Sequence, residues 1–174
     1  MLKYILIFSL LLSCSSTKKE NKQENPPVIS NCVSELTKNA VIRWGYVYKQ
    51  NQTEKAYQLN TQGDIYRQDE TKIVVRKEKI EDLINSKPNY IESVSRETYC
   101  DIYVQVQKEF IKAQALFVPA DTMVFVQLIN PDAGTNLRAL WNPNYEAIGS
   151  EGFRKVWAML DKALPKDQMY LHKK

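Results

Sequence analysis

The segment Thr122-Met-Val-Phe-Val-Gln-Leu-Ile129 places the tightest limit on the fold. It is apolar on both of the sides that a strand presents, so it reads as a central strand of a sheet. Asn130-Pro-Asp-Ala-Gly-Thr-Asn136 follows, dense in turn formers, and Leu137–Trp141 returns as a hairpin partner.

Other strands are expected upstream. Val41-Ile-Arg-Trp-Gly-Tyr-Val-Tyr-Lys49 is β-branched and aromatic, with Ile42, Trp44, Tyr46 and Tyr48 on one side. Val41, Arg43, Gly45, Val47 and Lys49 take the other side. Ala56–Asn60 and Asp64–Arg67 flank Thr61-Gln62-Gly63, where glycine suits the left-handed position of a short hairpin loop. Ile73–Val75 reads as a further strand, and Glu78–Asn85 as a short helix.

Two longer helices complete the pattern. Ser95 caps the first, whose stripe is Tyr99, Ile102, Tyr103, Val106, Phe110, Ala113 and Phe117, ended by Pro119. Ser150 caps the second, with Phe153, Val156, Trp157, Leu160 and Leu164 on one face and Pro165 as its stop. Strands and helices joined by short connections predict an α+β class: an antiparallel sheet of about five or six strands with the two amphipathic helices packed on one face.

The totals restrict function. The formal charge is +4, and no Lys/Arg run is longer than the pair Lys18-Lys19, which argues against nucleic acid as a partner. The single histidine is His172, third from the end, so no Ser-His-Asp, Cys-His or His-rich zinc constellation can be built on it. No cofactor motif and no metal-ligand spacing is present.

The first fourteen residues carry a different kind of information. Lys3 and the amino terminus form a positive region, and Ile5–Leu12 is an apolar run broken only by Ser9. The run falls well short of the roughly 20 residues that span a bilayer, and fits the roughly 7–15 of a secretory signal core. Leu11-Leu12-Ser13-Cys14 closes it and resembles the lipobox of bacterial lipoproteins. The resemblance implies recognition at Leu11 and Ser13, a diacylglyceryl group on the Cys14 thiol, cleavage just before Cys14 and acylation of the new amino terminus. Leu12 is bulkier than the family prefers. Several acyl chains at about 0.8 kcal/mol per CH₂ would make such an anchor effectively permanent.

The chain then divides into a leader (1–13), a lipidated Cys14 with a flexible linker (14–30), and one globular domain with a loose polar tail (31–174). The linker, Ser15 to Ser30, is polar and charged and carries the pair Pro26-Pro27 near its end. Ser15 is not the Asp that signals inner-membrane retention in enteric bacteria, so the resemblance favours the outer membrane. Of the three cysteines, Cys32 and Cys100 remain in a compartment where disulfides persist. A bridge between them is favoured over two free thiols, and would contribute about 4 kcal/mol in the chain-entropy model.

Candidate chemistry in the domain competes with structural readings. The row Trp44, Tyr46, Tyr48, with Tyr57 and Tyr66, suits a sugar-stacking platform, yet aromatics also fill the helix-facing side of a sheet, and core packing is favoured. Asn130 and Asp132 stand two apart as in a calcium loop, but Gly134 and Trp141 occupy positions that need oxygen ligands, which leaves a turn. The carboxylate pairs Asp69–Glu70 and Glu81–Asp82 are adjacent rather than opposed across a cleft, as glycosidase chemistry requires. Arg43 and Arg138 sit in apolar strands, and each can clamp an anion or lay its stem along the surface. Trp141-Asn-Pro-Asn-Tyr145 is the irregular, aromatic segment expected to be exposed. Arg138, Trp141, Asn142, Asn144 and Tyr145 are therefore the candidate contact site.

The expectation is a membrane-anchored, non-catalytic lipoprotein domain that binds another envelope protein. The alternative is a glycan- or small-solute-binding module, and a carboxylate-dependent enzyme is third.

Overall fold

The computed structural model describes residues 32–72, 89–113, 116–144, 146 and 149–168. The expected strand Ile73–Val75, the short helix Glu78–Asn85, the leader, the linker and the end of the tail lie outside the described residues.

Seven strands and two helices are described: β1 (Val41–Tyr48), β2 (Thr53–Leu59), β3 (Asp64–Lys72), β4 (Asn89–Ser93), α1 (Arg96–Lys112), β5 (Leu116–Phe117), β6 (Thr122–Asn130), β7 (Thr135–Trp141) and α2 (Glu151–Lys162). The strands form one sheet in the order β4-β3-β2-β1-β6-β7-β5. All pairs are antiparallel except β5 with β7. The α+β class is as expected, but the sheet is larger than five or six strands and is mixed rather than purely antiparallel.

β1 and β6 pair in full register, from Val41↔Ile129 to Tyr48↔Thr122, which puts the doubly apolar segment at the centre. The hairpin between β2 and β3 turns at Gly63 with φ +88°, and a Cβ there would meet the Val94 carbonyl. The Asn60 side chain accepts from the backbone N–H groups of Gln62 and Asp64 (3.0 and 2.9 Å), so one amide organises the turn.

α1 begins as expected: Ser95 is extended (φ −64°, ψ 155°), and its Oγ accepts from the Thr98 N–H at 3.1 Å. Its end differs. The helix stops at Lys112, and Ala113 turns extended with φ −139° and ψ 98°. Phe117 continues the helical spacing only by coincidence. The residue before Pro119 is forced out of helical geometry, and Val118 donates instead to the Leu140 carbonyl at 2.9 Å. Sheet pairing takes this segment from the helix. α2 also departs in detail: Ser150 is helical at φ −88° and ψ −16°, with no side-chain cap bond.

Both helices bury their stripes against one side of the sheet. Ile42 and Trp44 of β1, Tyr57 and Leu59 of β2, Val124 and Val126 of β6, and Ala139 and Trp141 of β7 meet Tyr99, Val106 and Phe110 of α1 and Phe153, Val156, Trp157 and Leu160 of α2. Edge-on ring contacts run through this layer: Phe110 on Phe153 at 5.0 Å, Trp141 on Trp157 at 6.3 Å, and Tyr46 on Trp157 at 5.6 Å. Among the described residues no helix is long and apolar enough to cross a membrane.

Candidate functional site

Alternation along β1 sends Arg43, Gly45 and Val47 to the side away from the helices. Val47, Ala56, Met123 and Phe125 are buried there. Within this apolar setting lies a charged cluster. Arg43, 1% exposed, donates through Nη1 to Gln127 Oε1 (2.9 Å) and through Nη2 to Glu54 Oε1 (2.7 Å) and Gln68 Oε1 (2.6 Å). Arg138 Nη2 donates to the other oxygen, Glu54 Oε2, at 2.8 Å. Gln127 Nε2 passes the chain on to Asn136 Oδ1 at 2.8 Å. The Phe125 ring lies 5.9 Å from the Arg43 guanidinium and 4.2 Å from that of Arg138.

Two guanidiniums therefore share one carboxylate. Burial alone would raise the Glu54 pKa, but the attraction of Arg43 and Arg138 prevails and holds it below its ordinary value. Burial likewise draws the Arg43 pKa down, opposed by Glu54. An arginine starts so high that it keeps its charge. The members come from β3, β2, β1, β6 and β7, so the cluster ties five neighbouring strands together by side chains. Its charges are committed to one another, as in a structural network, and the cost of taking them out of water offsets much of their attraction.

A second feature lies on the helix side, where β1 begins and the β6–β7 turn closes. α1 leaves an apolar groove of about 320 Å³ there, walled by Tyr103, Phe110, Leu128 and Leu137. Leu36 and Ile111 stand on its rim, 69% and 82% exposed. Nearby polar atoms are engaged within the protein. Asn130 Nδ2 donates to the Leu36 carbonyl (2.9 Å), Gln107 Nε2 to the Tyr103 hydroxyl (3.0 Å), and Thr37 Oγ1 to the Cys32 carbonyl (3.2 Å). The groove thus offers apolar surface and few free hydrogen-bonding groups.

Cys32 and Cys100 are joined by a disulfide, with Cα atoms 5.4 Å apart. It fastens the segment that carries Leu36 and Thr37 to α1, the helix that forms the groove wall.

The expected contact site is divided by the fold. Trp141 is 1% exposed and packs on Phe153 and Trp157, so it is core rather than exposed surface. Arg138 is not beside it: the two residues are three apart on one strand, and Arg138 points to the opposite side, onto Glu54. Asn142 and Asn144 form a small turn in which the Asn142 side chain accepts the Asn144 N–H at 2.9 Å. Tyr145 lies outside the described residues, as do Leu11, Ser13, Cys14 and the pair Glu81–Asp82. Asp69 and Glu70 lie on β3 rather than in a turn.

The aromatic row does not lie exposed as one surface. Trp44 is fully buried and Tyr57 2% exposed, while Tyr46 packs on Trp157 with Tyr48 stacked 6.5 Å away. Tyr66 lines a separate polar recess of about 370 Å³ beside Asn60, Gln62 and Asp64. Asp64 there already accepts from Ser93 Oγ at 2.6 Å, and Asn60 is engaged by the hairpin. Among the described residues no three His, Cys, Asp or Glu side chains gather as a metal site would require.

No family model matches the chain, and no curated protein matches it.

Proposed function

We propose that this chain is a bacterial lipoprotein, held by acyl chains on Cys14, whose folded part is a non-catalytic domain that binds another protein of the cell envelope. The observation that carries the reading is the order of Lys3, the apolar run Ile5–Leu12 and Leu11-Leu12-Ser13-Cys14. Ser15 after the lipobox Cys14 favours the outer membrane. The Cys32–Cys100 disulfide supports export, because such bonds persist in oxidising compartments. It also gives the tether a fixed point of entry into the domain. The commitment of Arg43, Glu54 and Arg138 to one another supports a structural rather than a chemical use of this charged cluster.

Crosslinking in cells tests this reading. Full-length protein, crosslinked and gently solubilised, is expected to carry a stoichiometric envelope partner that a Cys14→Ala variant loses. Recovery of the same partner by the unanchored variant would remove the anchor from the account. Recovery of no partner in either sample would remove the binding role.

A further inference from the structure

We propose that the groove between α1 and the β6–β7 turn seats one acyl chain of a bilayer phospholipid, so that the domain rests on the membrane through Leu36 and Ile111. The proposal rests on the anchored reading for the presence of a bilayer, and on the groove itself for the ligand. Leu36 and Ile111 come from segments far apart in the chain, yet the fold sets both on one apolar rim at 69% and 82% exposure.

The chemistry of the lining selects the occupant. The amide of Asn130, the amide of Gln107 and the hydroxyl of Thr37 are each bonded within the protein. A peptide backbone entering the groove would bring a row of N–H and C=O groups, more than this lining can pair. An acyl chain brings no polar group. Its transfer from one apolar medium to another is nearly neutral, and the gain comes from removing Leu36 and Ile111 from water.

The position of the groove agrees. Cys14 and Cys32 are separated by 32 − 14 − 1 = 17 residues, a reach of at most about 60 Å. The chain then enters at the disulfide, and the Cys32 carbonyl is hydrogen-bonded by Thr37 of the groove itself. The tether therefore arrives on the face that carries the groove. The tether lets this face reach the bilayer, and a weak apolar contact gains from the high local concentration that tethering imposes.

The test uses full-length protein extracted from the envelope and reconstituted in phosphatidylethanolamine–phosphatidylglycerol vesicles doped with phospholipid carrying an acyl-chain diazirine. After irradiation, peptide mass spectrometry reads the labelled residues and, separately, the mass of the Cys14 peptide. Label is expected on peptides bearing Tyr103–Ile111 and Leu137. Ile111→Asp should cut it by about tenfold, as loss of one isoleucine's apolar burial would. Leu36→Ser serves as a second rim variant, and the Cys32–Cys100 bond and the far-UV spectrum report whether each variant is folded. Label absent from the groove, or unchanged in both folded variants, overturns the proposal, as does a groove crosslinked to a protein in place of lipid. A lipidated Cys14 peptide without groove label sinks the groove and spares the anchor. Groove label on a chain with an unmodified Cys14 sinks the anchor and spares the groove.

Discussion

Arg43 and Glu54 form a 2.7 Å ion pair although the strand register sets them far apart: Glu54 faces Val47, four residues along β1 from Arg43. Between them lie Gly45 and Ala56, paired with each other and almost without side chains on that side of the sheet. The shallow floor over these two residues lets both long side chains extend along the strands until they meet. A β-bulge between Glu54 and Ala56, where the pairing with β3 slips, accompanies the approach.

Removal of the shared carboxylate should be severe. Glu54→Gln leaves two guanidiniums facing each other with Arg43 buried, and is expected to cost about 3–5 kcal/mol in denaturant unfolding. Arg43→Met should cost less, because Glu54 keeps Arg138 and no unpaired buried cation remains.

The same carboxylate predicts the pH dependence. Glu54 has a folded-state pKa below its unfolded value, so its contribution is fully present above the unfolded value of about 4.3. That stability is lost as pH falls through the folded value. Wild-type stability, followed by thermal melts, should drop below about pH 4, whereas an Arg43→Met/Glu54→Gln/Arg138→Met variant should show a shallower acid limb.

Gly45→Ala tests the floor directly. A Cβ at Gly45 would overlap the backbone carbonyl of Lys55, which cannot swing aside as a side-chain tip can. A loss of about 1–3 kcal/mol or more is expected in chemical denaturation.

Tyr99 offers a stabilising change. It is fully buried on the sheet-facing side of α1, its hydroxyl has no hydrogen-bond partner, and burial pushes its pKa up. Tyr99→Phe should leave the packing intact and raise stability by about 1 kcal/mol, read as a higher denaturant midpoint at constant slope.

Trp141 and Asn144 separate core from surface in the segment expected to be a contact site. Trp141→Ala should cost about 3–5 kcal/mol, whereas Asn144→Ala should change stability by no more than about 0.5 kcal/mol.

How much of this was legible in the sequence depended on the range of the interactions. The β-branched and aromatic run of β1, the unbroken apolar run of β6 and the 3.6-residue stripe of α1 are local signals, as is Ser95 at the start of α1. Trp141 was misplaced for want of one step: with Leu137 and Ala139 it shares the helix-facing parity of β7, but its neighbours Asn142 and Pro143 suggested a loop. β4 escaped because Asn89–Ser93 is a short, polar edge strand whose pairing with β3 is distant in sequence. The helical spacing of Phe117 was overridden by pairing with β7. Arg43 falls on the correct side of the sheet by alternation, but its partners on three other strands are set by register alone. Leu36 and Ile111 meet only through the fold, so no local pattern marks the groove.

The most direct test of the anchored reading is the mass of the amino-terminal peptide of the protein isolated from bacterial envelopes. The account predicts a chain that begins at Cys14 and carries a diacylglyceryl thioether with acylation of the new amino terminus. A chain that begins at any other residue, or a Cys14 with an unmodified thiol, would contradict it.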